Sequence, residues 1–474
     1  MDSPAGNALP DPYTGGTGQP AYPWRGRITC DPAPGVPGSV DKTAACASQI
    51  AAFVGEAAPE DFSLTDNAVV YAGPDEWSYR RFILHYAHLC ALAGGVDAFI
   101  VGSEMRGATT LRASQSAFPF VDALAALAED VRGVLGPGTK IAYAADWTEH
   151  RGHQPQDGSG DVYFHLDPLW ASAAIDAVGI DVYWPLSDWR DGEAHLDRAA
   201  GVRAIYDLDY LRGNIRGGEG FDWYYPAGGA TGNEPSPERL AQMRIPITDG
   251  AYGKPWVFRP KALREWWENE HYDRPGGVEA GTPTAWVPRS KPIWFTELGC
   301  PAVDKGSNQP NVFVDPKSSE SFAPYFSRRV RDDLIQRRYL LAMLSFFDPA
   351  HPDHAEGSNP VSPVYGGRMV DPGRIYLYCW DARPYPAFPY ALSVWADGGN
   401  WQLGHWLTGR AGGGPLAAIV RQILEDYGFT RHDANRLYGF IDGFVIDRIM
   451  SAREALQPLS LGFLFDAYES GGLI

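Results

Sequence analysis

Two carboxylates are marked by where they fall in the chain. Glu104 closes the run VDAFIVGSE and Glu297 closes KPIWFTE, each at the end of a short apolar segment with β-branched residues. Folds built from parallel strands place their chemistry at this end of the strand, on loops held by a rigid sheet. Two carboxyl groups converging there can divide acid and base work when their surroundings keep one protonated and the other ionised. The competing expectation is a pair of structural carboxylates, which would each need a partner because an unpaired buried charge is costly.

The elements that must position them follow a regular cadence. Helical patterns at 40–55, 76–93, 117–134, 168–174 and 326–347 alternate with apolar strand runs at 96–104, 139–146, 175–184, 291–298 and 374–380. In the 76–93 segment, Phe82, Ala87, Leu89 and Cys90 recur at helical spacing. Strand, helix, strand at this spacing predicts an α/β fold with parallel strands. A (β/α)8 barrel needs eight strands, and only five are evident, with Arg27–Cys30 as one further short candidate. Either Arg27–Cys30 and further strands complete the barrel, or the chain holds only part of one (strands four to eight if Glu104 ends the fourth), with an unpaired edge that favours association and poor solubility. Glu104 then ends strand four and Glu297 strand seven, which face each other across the mouth.

Residues 1–395 make up this barrel, with an aromatic-rich insertion at 190–290 that suits a lid, a cleft wall or a docking face. A second module, 396–474, starts near the joint Ala411-Gly412-Gly413-Gly414. It contains an amphipathic helix at 415–428 opened by Pro415, a strand pattern LYGFIDGFVI, and a capping box at Ser451 and Glu454 that opens another helix.

Composition narrows the function classes. The 474 residues carry 40 basic and 58 acidic side chains, a net charge of −18, which repels phosphate backbones and argues against nucleic-acid binding. No apolar run is long enough to span a membrane, and the opening MDSPAGNALPDPYTGG has no signal-peptide character, so synthesis in the cytoplasm is expected. Five cysteines without a CxxC pair fit neither a disulfide framework nor structural zinc. The HPDHAE loop (His351, Asp353, His354, Glu356) lacks the geometry of a metal site, so no metal and no cofactor is expected.

Several long motifs occur in order: VGSEMRG (101–107), DVYFHLDPLW (161–170), GIDVYWPLSDWRDG (179–192) and WFTELGCPAVDKGSNQPNVFVDPKSSES (294–321). Together they resemble the glycoside-hydrolase TIM-barrel-like domain of gene transfer agent tail proteins, components of phage-like particles. The segment from GHWLTGR to SAREAL resembles the phage-tail module that follows that barrel. The resemblance implies that GNALPDPYTGG lies downstream of the third barrel strand.

It also implies a retaining glycoside hydrolase in which Glu104 is the acid/base and Glu297 the nucleophile, with carboxyl groups about 5–5.5 Å apart. The wider clan has Asn before the acid/base; here Ser103 takes that place. Tyr183 is expected to donate to Glu297 or to pack at the mouth. Asp146 and Asp181 bind sugar hydroxyls or cap loops. Trp147, Trp184, Trp189 and Trp380 lie at or past strand ends, where flat rings suit sugar faces or belong to the core. The implied partners are an envelope polysaccharide, peptidoglycan or capsule, and other tail or baseplate subunits. The second hypothesis is a non-catalytic spacer or glycan-binding barrel.

Overall fold

In a computed structural model that describes residues 7–228, 234–315, 317–410, 413–446 and 448–474, the apolar runs become one parallel sheet. Its five strands are Ala98–Ser103, Lys140–Asp146, Ala177–Val182, Ile293–Gly299 and Val370–Tyr378, ordered in space as they are along the chain. The second and third strands are buried almost throughout, which explains why they read as unbroken apolar segments rather than alternating ones. This is a TIM-barrel-like α/β arrangement left open: among the described residues the first and fifth strands have no outer neighbour in the sheet.

Two irregularities in register matter later. Ile100 pairs with Ala142 but Ser103 with Ala144, and Ile180 pairs with Phe295 but Asp181 with Glu297. Each inserts one extra residue, at 101–102, just ahead of Ser103 and Glu104, and at Thr296, immediately before Glu297. Bulges of this kind re-aim the side chains that follow them.

The Pro119–Leu135 helix packs its apolar face (Phe120, Val121, Leu124, Leu127, Ala128, Val131) into the main core. The Tyr79–Leu92 helix buries Ile83, Leu84, Ala87 and His88, whereas Phe82 and Leu89, expected on its inner face, are exposed together with Tyr86. Phe82, Tyr86 and Leu89 are spaced i, i+4, i+7, so they form a second apolar stripe. It lies on the helix leading into the open first strand.

Other expectations shift. Residues 27–30 form no strand; a 3-10 turn at Arg25–Arg27 replaces it. The last long helix starts at Asp333 instead of 326, because Phe326 and Arg329 take positive φ and Asp332 caps it by accepting from the Ile335 N–H at 3.1 Å.

The insertion turns its aromatics inward. Trp266, Trp267 and Trp286 are buried, and His271 stacks between Phe164 and Trp286 at centroid distances of 4.3 and 5.6 Å. These Trp rings extend the main core that covers the sheet.

Beyond the sheet, Leu416–Asp426 and Ala452–Phe463 pack around a separate apolar cluster. Ser451 and Glu454 make the reciprocal capping box foreseen from sequence. Of LYGFIDGFVI only Phe440–Ile441 is strand among the described residues, paired with Gly414–Pro415; Val445 lies outside it and is exposed. Ala411 and Gly412 of the glycine joint lie outside the described residues. Among those described, no helix is long and apolar enough to cross a membrane.

Leu127→Ala should lower unfolding stability by about 2–5 kcal/mol through cavity formation, whereas Phe82→Ser on the exposed stripe should change it by only about 0.5 kcal/mol. Chemical denaturation of both variants checks this.

Candidate active site

The strand ends bring three carboxylates together. Asp181 pairs in register with Asp146 on one side and Glu297 on the other, and Glu104 follows the first strand. One oxygen from each of Glu104, Asp181 and Glu297 lies within 4.8 Å of the others. Glu104 itself is in the left-handed region at φ 49°, an uncommon conformation for a residue with a side chain. Its N–H donates to the Ala144 carbonyl at 2.7 Å, which anchors the turn.

A guanidinium occupies the space among them. Arg25 Nη2 lies 3.0 Å from Glu104 Oε2, 3.5 Å from Glu297 Oε1 and 3.8 Å from Asp181 Oδ2. It also donates to Ser103 Oγ at 2.7 Å, while Arg25 Nε donates to the Ser103 carbonyl at 2.9 Å. Trp24 adds an indole N–H to Glu104 Oε2 at 2.6 Å. Three acidic groups at this spacing could hold a divalent cation, but the positive charge at their centre is Arg25.

Asp181, fully buried, accepts from Ser103 Oγ at 3.0 Å and Thr296 Oγ1 at 2.6 Å. Tyr183 OH donates to Glu297 Oε2 at 2.5 Å. Burial first, and then the adjacent Glu297 charge, push the Tyr183 phenol upward, so it stays a donor. Burial, reinforced by Asp181, raises the Glu104 carboxyl well above the usual range, and Arg25 only partly offsets this. Burial and the Glu297 charge raise Asp181 to about 7. Glu297 keeps partial exposure, its side chain 22% accessible. The pair is thus asymmetric, with a buried carboxyl favouring its proton and a more open one bonded by a phenol.

A further buried carboxylate, Glu149, braces the turn after Glu104. Glu149 accepts from Thr109 Oγ1 at 2.5 Å, Tyr143 OH at 2.9 Å and the Asp146 N–H at 3.1 Å. Tyr143 OH in turn accepts from the Met105 N–H at 2.8 Å. This network ties the turn after Glu104 to the loop after the second strand. Burial lifts Glu149 to about 7.

Of the residues singled out from sequence, Glu104, Glu297, Ser103, Asp181 and Tyr183 are assembled around one point. Asp146 is adjacent but caps its own loop, accepting from the Thr148 N–H at 2.9 Å. Trp147 is half-buried against the core. Trp184 is a correction: it is completely buried against Phe295 and Phe347, so no sugar reaches it. Its neighbour Tyr183, just past the strand end and two residues after Asp181, takes the site-facing position and bonds Glu297. Trp189 stacks edge-on with His195 and lines a 660 Å³ cavity that includes none of the three carboxylates. Trp380 is 72% exposed, two residues past the fifth strand.

Sequence reasoning missed Trp24, Arg25 and Thr296. Thr296 is the bulge residue beside Glu297. Trp24 and Arg25 belong to PWRGR, whose only signal is an aromatic and a cation between Pro23 and Gly26, followed by Arg27, in an otherwise featureless loop.

Carbon-13 NMR of the glutamate carboxyls should show Glu104 titrating above the ordinary carboxylate range. In Arg25→Ala it should move further up, because the lost cation favoured the charged form. A downward move would contradict this electrostatic account.

With this geometry in view, residues 77–389, well over half the chain, match the model of a family described as the GTA TIM-barrel-like domain. No curated protein matches the chain. Among solved structures it is similar to a GH113 beta-mannanase from Alicyclobacillus acidocaldarius in complex with ManMIm, at 17% identity and a TM-score of 0.28. That match covers 70% of this chain and 59% of the mannanase chain, so the chain spans less than two thirds of that protein.

Proposed function

Because the chain belongs to the GTA TIM-barrel-like domain family, we propose that its strand-end carboxylates serve retaining hydrolysis of a cell-envelope polysaccharide, such as peptidoglycan or capsule. The observation that carries this is the approach of Glu104 and Glu297 oxygens to within 4.8 Å with opposite environments. Retaining enzymes need a short carboxyl separation, because one group itself attacks the sugar. Glu297 Oε1 forms a bond to the anomeric carbon as the bond to the departing oxygen breaks. The Glu104 proton passes to that oxygen. Water then attacks the glycosyl ester, giving its proton back to Glu104 and freeing Glu297. Tyr183, donating to Glu297 Oε2, orients the nucleophile and leaves Oε1 for attack. Trp147 and Trp380 are proposed to contact sugar rings.

The family's name supports placement in a phage-like particle. We infer that residues 396–474 belong to a module docking onto other tail or baseplate subunits, with residues 1–395 as the barrel unit.

One observation favours a second function, a barrel that binds or spaces without cleaving: Arg25 stands between the two glutamates. Incubating the protein and its Glu104→Gln and Glu297→Gln variants with peptidoglycan sacculi and capsular polysaccharide separates the two. Hydrolysis requires reducing ends from the wild type, a loss of roughly 100-fold or more in each variant, and binding kept in Glu297→Gln. Binding without cleavage by the wild type supports the spacer. Proton NMR of the first product should show the anomeric configuration retained.

Hydrolysis should persist at pH values where an ordinary glutamate is already ionised, and fall as pH rises through the raised value of Glu104. A pH profile that falls from about pH 4.5 would contradict Glu104 as the acid.

A further inference from the structure

A short segment of the same chain lies between Glu104 and Glu297. The Trp24 indole and the Arg25 guanidinium both end on Glu104 Oε2, at 2.6 and 3.0 Å, and the same Arg25 nitrogen reaches Glu297 Oε1 at 3.5 Å. Reacting atoms must come within about 3–3.5 Å of each other. An atom at these distances from both carboxylates therefore stands where the anomeric carbon and departing oxygen of a sugar would lie. With two donors already ending on it, Glu104 Oε2 cannot reach a leaving group.

The segment is clasped from outside the site. The Trp24 N–H donates to Glu320 Oε2 at 2.5 Å, and Arg27 pairs with Glu320 Oε1 at 3.6 Å. The Ser319 N–H donates to the Ala21 carbonyl at 3.0 Å and Ser318 Oγ to the Tyr22 carbonyl at 3.1 Å. On the opposite flank the Gly26 and Ile28 carbonyls rest on Gly107, where an added Cβ would come within 2.5 Å of both. The 21–28 stretch has no regular structure beyond one 3-10 turn. Its outer clasp at Ser318, Ser319 and Glu320 consists of polar contacts at exposed or partly exposed groups, which open locally at lower free-energy cost than a buried core. The raised proton affinities of Glu104 and Asp181 limit the charge left behind when Arg25 withdraws.

We propose that residues 21–28 are an autoinhibitory strap: Trp24 and Arg25 fill the glycosyl subsite when it is closed, and release of the clasp at Glu320 exposes Glu104 and Glu297. That a sugar takes the vacated space rests on the hydrolase function proposed above. The covering of the two carboxylates does not, and it is measurable without turnover.

Glu320→Ala loosens the clasp from a partly exposed position and leaves the carboxylates and Arg25 intact. The probe is a water-soluble carbodiimide with glycine methyl ester, with amide formation at Glu104 and Glu297 read by peptide mass spectrometry. Labelling of Glu297 should rise roughly tenfold in Glu320→Ala, the population shift expected for losing one charge-assisted hydrogen bond. It should rise at least as far in Trp24→Ala. Reducing-end release from peptidoglycan sacculi should rise in parallel in Glu320→Ala. Labelling unchanged in both variants overturns the strap, even if the wild type hydrolyses glycan. Labelling raised in both, with no hydrolysis by any form, upholds the strap and removes the hydrolase.

Discussion

Three carboxyl groups at neighbouring strand ends, answered by one guanidinium, form the constraint around which the site is arranged. With Glu104 and Asp181 largely shielded from water, full ionisation of all three would leave uncompensated charge in a poorly solvated space. The structure relieves this in two ways: Arg25 supplies one positive charge, and the raised affinities of Glu104 and Asp181 retain protons. The same imbalance creates the asymmetry that acid–base chemistry requires. A carboxyl that keeps its proton stands beside one that Tyr183 stabilises by a hydrogen bond.

Holding the groups so close demands local exceptions to regular strand geometry. The extra residues at 101–102 and at Thr296 break the two-residue alternation just before each glutamate. Thr296, displaced by its bulge, bonds Asp181. Glu104 turns off its strand through a left-handed backbone, and Glu149, Tyr143 and Thr109 brace the following turn. This bracing has particular value because the first strand is an edge of the sheet. A side chain on an edge strand is supported by neighbours on one flank only, so its position depends on the network beneath it.

The open edges also shape the molecular surface. Apolar Phe82, Tyr86 and Leu89 lie on the helix feeding the first strand, and Tyr376 and Leu377 are exposed on the fifth. Exposed apolar groups thus lie both on the helix before the first edge strand and on the fifth, also an edge. The insertion behaves differently: Trp266, Trp267 and Trp286 join the main core, with His271 stacked between Phe164 and Trp286. Aromatic richness there reflects packing of a segment with little regular secondary structure of its own.

The five parallel strands could be read directly from the chain as apolar runs; the central ones, buried at nearly every residue, are the most continuous, and AVGIDV is broken only by Asp181. The positions of Glu104 and Glu297 at strand ends, and the capping box at Ser451 and Glu454, follow from equally local rules. Local rules could not decide between Tyr183 and Trp184, because alternation assigns them to opposite faces without saying which faces the mouth. They could not find Arg25 either, which meets Glu297 only across 272 residues of chain. The residue types and the strands that carry them were thus determined by sequence alone. Which side chains share a space, and that a guanidinium from a distant loop neutralises the carboxylates, was decided only by the tertiary structure, because electrostatic partnership depends on distance in space and leaves no periodic trace along the chain.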